Sequence, residues 1–106
     1  METYRLTKPI TALSGDTIEE LSFNFDALRP LDYRQIVRCE AKLRGETPSF
    51  DINISRKTSS EFRMATAWIA AIKGTKGLCF DDLDSISLKD LLEIEQIGLF
   101  FIAGVE

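Results

Sequence analysis

TSSEFRMATAWIAAIK, residues 58–73, decides the fold. Its opening Thr58-Ser59-Ser60-Glu61 fits a capping box, in which a hydroxyl and a carboxylate satisfy the first free N–H groups of a helix. Phe62, Ala65, Trp68, Ile69 and Ile72 then recur at helical spacing, and alanines cover much of the remaining surface. A helix that is apolar on nearly all sides is stable only when other elements wrap it. In a chain of 106 residues, that predicts one domain built around a central helix over 58–73. Gly74-Thr75-Lys76-Gly77 reads as the stop and a tight turn.

Upstream, Tyr4–Ile10 reads as a short strand, with Pro9 marking an edge or an end because it has no N–H to donate. Ser14-Gly15-Asp16 is a turn signal, and Ile18, Leu21, Phe23 and Phe25 alternate loosely after it. These segments predict a β-hairpin over 1–26, which must pack on helices to be stable. Pro30 suits the first turn of a helix over 30–45 that stops at Gly45. Tyr33, Ile36, Val37 and Leu43 share its apolar face, and Arg34, Arg38 and Lys42 line the opposite one. Glu40 falls inside the apolar arc, which predicts a partly buried carboxylate paired with a base. Phe50, Ile52 and Ile54 alternate with Asp51 and Asn53, compatible with a short strand or an extended loop.

Downstream, Leu78–Ile86 is an acidic loop with room for one short turn, and Ser87 caps a last helix over 88–102, with Asp90 three residues on. The fold class is therefore α+β, a hairpin packed on about three helices. The last helix is apolar on two flanks. Leu88, Leu91, Leu92, Leu99 and Ile102 form one arc; Ile94, Ile97 and Phe101, with Phe100 beside them, form another. One flank belongs to the core. The other is covered by a neighbouring element or left for a partner. The second stripe, Ile94, Ile97, Phe100 and Phe101, is the candidate partner-binding surface. Charged substitutions at Ile97 and Phe101 are expected to spare the fold and abolish partner capture.

Composition narrows the function. The chain has no histidine, so Ser–His and Cys–His nucleophile pairs are absent, as is the commonest transition-metal ligand. No phosphate-binding loop, nucleophile elbow or dinucleotide fingerprint occurs. No catalytic, cofactor-binding or metal residue is assigned. The expectation is a protein without enzyme activity, with a small enzyme or ligand-binding domain as a remote reading. Cys39 and Cys79 lack metal-ligand spacing and read as reduced thiols. Asp81-Asp82-Leu83-Asp84 fails as a calcium loop, because Ile86 and Ser87 fall where an oxygen ligand and a glycine are needed. A net charge of −4 opposes binding to nucleic acid, and the GTKG tetrapeptide lacks the basic, helical context of an RNA clamp. The charge is lopsided: residues 79–106 carry −6 and residues 1–78 carry +2. Residues 1–6 do not resemble a signal peptide, and 97–105 is too short to span a bilayer. A soluble, intracellular protein without membrane contact is expected.

The order of several weak motifs resembles one family. Leu6-Thr7-Lys8-Pro9-Ile10 and Gly15-Asp16-Thr17-Ile18-Glu19-Glu20-Leu21 are followed by Leu28-Arg29-Pro30-Leu31-Asp32-Tyr33 and Cys39-Glu40-Ala41. Glu61-Phe62-Arg63-Met64-Ala65, Gly77-Leu78, Phe80-Asp81-Asp82-Leu83, Ser87-Leu88-Lys89-Asp90 and Leu99-Phe100-Phe101 complete the pattern. In this order the chain is similar to the small tail assembly chaperones of long-tailed phages and prophages; residues 46–57 show no likeness. The resemblance implies a non-enzymatic protein that binds the tape measure protein, keeps it soluble and recruits tail tube subunits. It also implies action in the host cytoplasm, absence from the mature virion, possible homo-oligomers, and in many relatives a longer frameshifted form. The alternative is another small phage adaptor that holds a host or viral partner through its last helix.

Overall fold

The computed structural model describes residues 2–45 and 59–104. The expected strand or loop around Phe50–Ile54, and Thr58, lie outside the described residues. The architecture is α+β: a two-stranded antiparallel hairpin followed by three helices in one body. Its radius of gyration, 12.9 Å, is about what a single compact domain of this length has.

The central helix, α2 (Ser60–Gly74), begins where Ser59 accepts the Phe62 N–H at 3.1 Å. The cap is thus Ser59, one residue later than the box predicts. Every residue from Met64 to Ala71 is buried, as an all-apolar helix requires. Trp68 is fully buried and its indole N–H donates to the Phe80 carbonyl at 3.0 Å. A buried indole without that acceptor would forfeit its N–H. α2 packs against α1, α3 and the inner face of the hairpin.

The hairpin pairs β1 (Glu2–Thr11) with β2 (Thr17–Phe23). Gly15, at φ 98°, supplies the left-handed turn residue, and the Ala12 and Gly15 N–H groups close the turn. Leu6, Ile10, Ile18, Leu21 and Phe23 enter the core. The pairing is irregular. Between Arg5↔Glu20 and Ile10↔Ile18 the chain takes five steps on β1 and two on β2. β1 therefore bulges around Pro9, and the N–H groups of Thr7 and Lys8 leave the ladder.

α1 (Asp32–Arg44) starts two residues after Pro30, because residues 29–32 form a turn in which the Asp32 N–H bonds the Arg29 carbonyl at 2.8 Å. Gly45, at φ 73°, ends it as expected. Ile36, Val37, Cys39 and Ala41 are buried, and Glu40 is buried with them. The Glu40 carboxylate meets Arg44 at 3.1 Å and accepts the Ser59 hydroxyl at 3.3 Å, joining the end of α1 to the start of α2. The predicted pairing of Glu40 with a base is present.

The basic face of α1 is not simply solvated. Lys42 pairs with Asp81 and Asp84, each at 3.1 Å, which raises its pKa, and Arg38 lies over the Phe80 ring at 5.5 Å. Both reach the 3-10 turn Phe80–Ser85, the single turn foreseen within the acidic loop. Part of the lopsided charge is thereby matched inside one chain. The GTKG segment is fastened to the hairpin. The Thr75 hydroxyl accepts the Ser22 N–H at 2.9 Å, and Gly77, at φ 86°, receives the Ser14 hydroxyl on its carbonyl at 2.8 Å. α3 (Leu88–Gly104) runs two residues past the expected end. No helix among the described residues is long and apolar enough to cross a membrane.

Candidate functional site

Three contacts set which side of α3 faces inward. At its start the Asp90 N–H donates to the Ser87 hydroxyl at 3.2 Å, the predicted cap. The Asp90 carboxylate, however, does not complete a box. It is fully buried and accepts the Tyr4 hydroxyl at 2.7 Å, the Thr7 hydroxyl at 2.9 Å, and the Thr7 and Lys8 N–H groups at 3.0 and 3.4 Å. The two backbone donors are those released by the β1 bulge. Burial pushes the Asp90 pKa up, but these bonds outweigh it and hold the carboxyl down at about 2. Its partner Tyr4 moves the other way. Burial, the bond to Asp90 and nearby negative charge raise that phenol to about 12.

In the middle of α3, Ile94 is completely buried in the core. One turn on, Gly98 passes so close to α2 that a Cβ there would collide with the Arg63 carbonyl oxygen. Beside it, Arg63 and Glu95 form a 2.7 Å ion pair, with both side chains less than a fifth exposed. Asp90, Ile94 and Gly98 thus lie on one inward line at i, i+4, i+8.

This placement corrects the reading of the second stripe. Ile94 is core and does not reach the surface. Ile97 is half-buried and packs against the core. Phe101 is half-buried and stacks on Phe25, with ring centroids 4.2 Å apart and planes 10° from parallel. Phe100 projects outward, 74 % exposed. Charged residues at Ile97 or Phe101 would therefore disturb packing as well as surface. Leu88 and Leu92, assigned to the other arc, are 70 % and 48 % exposed.

Ile97, Phe100 and Phe101 meet Phe25 and Glu2 around an open hollow of about 300 Å³. Phe25 belongs to the 3-10 turn Phe25–Ala27, just beyond β2, and also stacks with Phe23 at 6.2 Å. Glu2 opens β1 opposite Phe23. The hollow therefore sits where the open end of the hairpin meets the last turns of α3. In the sequence Phe25 reads only as a strand residue, and Glu2 carries no signal of its own. Sequence carries no local signal for this meeting, because it depends on a contact 76 residues apart between Phe25 and Phe101.

Chemically, the hollow offers aromatic faces, one aliphatic chain and one carboxylate. Glu2 is its only ionisable lining residue among those described. The remaining candidate chemistry has structural partners. The Asp82 carboxylate is buried and accepts the Leu13 and Cys79 N–H groups at 2.8 and 2.7 Å. Asp81 and Asp84 hold Lys42. Cys39 and Cys79 are both free thiols, and burial pushes Cys39 up to about 12. Among the described residues no group of three or more Cys, Asp or Glu side chains is placed to hold a metal ion. No protein-family model matches the chain, and no curated protein or solved structure matches it.

Proposed function

We propose that the chain is a phage or prophage tail assembly chaperone that covers helical segments of a tape measure protein with the end of its last helix. The observation that carries the reading is the hollow of Phe25, Ile97, Phe100 and Phe101, with Phe100 standing 74 % exposed beside it. Transient cover for an apolar helix requires a surface of this kind, since an amphipathic helix docks by inserting side chains spaced three or four residues apart into a groove. The order of motifs from Leu6 to Phe101 supports the same reading by resemblance. Recruitment of tail tube subunits, action in the host cytoplasm and absence from the finished virion belong to the proposal.

The test is co-expression with a helical fragment of a tape measure protein. The fragment should pass from the insoluble to the soluble fraction with the wild-type chain and co-purify with it. Phe100→Ser, on a chain that keeps its melting temperature, should abolish both. A fragment that stays insoluble beside well-folded wild-type protein would end the proposal.

A further inference from the structure

We draw no further inference here: the strongest candidate, the exposed apolar patch of Leu88 and Leu92 on the flank of α3 away from the hollow, carries nothing because nothing in the structure shows what covers it.

Discussion

Replacing Asp90 by Asn tests how α3 is held to the hairpin. The change preserves size but removes the charge and puts an NH2 group where donors converge. Asp90 accepts four hydrogen bonds between 2.7 and 3.4 Å, two of them from the backbone N–H groups of Thr7 and Lys8. An amide cannot accept all of them, so at least one buried donor loses its partner. The carboxyl pKa falls from an ordinary 3.8 to about 2 in the folded chain. That difference corresponds to about 2–3 kcal/mol of stability at neutral pH. With the lost bond included, Asp90→Asn should cost about 2–4 kcal/mol at pH 7, roughly 10–20 °C in melting temperature for a domain of this size. The pH dependence fixes the cause. A depressed carboxyl pKa contributes stability that is fully present above about pH 4 and is lost as the pH falls through about 2. The other carboxylates titrate in both proteins and cancel in the difference. The gap between wild type and variant, from urea unfolding at steps between pH 6 and pH 2, should therefore shrink by about 2 kcal/mol. A gap below about 1 kcal/mol at pH 7, or one that stays constant down to pH 2, would refute the charged clasp.

Three further outcomes follow from other contacts. Gly98→Ala places a Cβ against the Arg63 carbonyl and should cost about 1–3 kcal/mol in urea unfolding, with an unchanged slope against denaturant. Ile94→Ala should cost about 2–4 kcal/mol by emptying a fully buried site, whereas Phe100→Ser should leave stability within about 0.5 kcal/mol; a reversal of that order would mean that α3 is rotated. At pH 8 a thiol reagent should modify half-buried Cys79 promptly and reach Cys39 only at the rate of unfolding, as mass spectrometry over time would show.

Much of the fold was legible because local and global signals agree along the chain. The apolar wrapping of residues 62–72 marks a central helix whatever surrounds it, and Gly15, Gly45, Ser59 and Ser87 stand at turns and caps where their chemistry is required. Even Glu40, an acid on an apolar face, announced its pairing. The hairpin bulge was less visible. Pro9 signals an edge, but not that four residues of β1 would face one of β2. The consequence, a pair of freed N–H groups aimed at a carboxylate more than 80 residues away, has no local trace at all.

The orientation of α3 shows how far periodicity reaches. Two apolar stripes on one helix give no preference by count, and the stripe led by Ile94 reads as the outward one although Ile94 lies in the core. The decisive residues were the ones that are not large and apolar. Asp90 and Gly98 share the line of Ile94, and each has a reason to face inward. A glycine inside a helix costs about 1 kcal/mol relative to alanine, and close approach to another backbone is what offsets it. At Gly98 that neighbour is the Arg63 carbonyl. With that line inward, Phe101 falls on it at the far end of the helix, Ile97 lies at its margin and Phe100 beyond it. The candidate surface therefore contracts from a full stripe to the last two turns of the helix, where Phe25 closes one side and Glu2 the other. Partner capture should accordingly fail with changes at Phe100 that leave the core untouched, and should be indifferent to Leu13, whose exposed side chain lies at the turn end of the hairpin. If Leu13→Ser disturbed capture as strongly as Phe100→Ser, binding would have to spread over the hairpin, and the hollow would lose its place as the site.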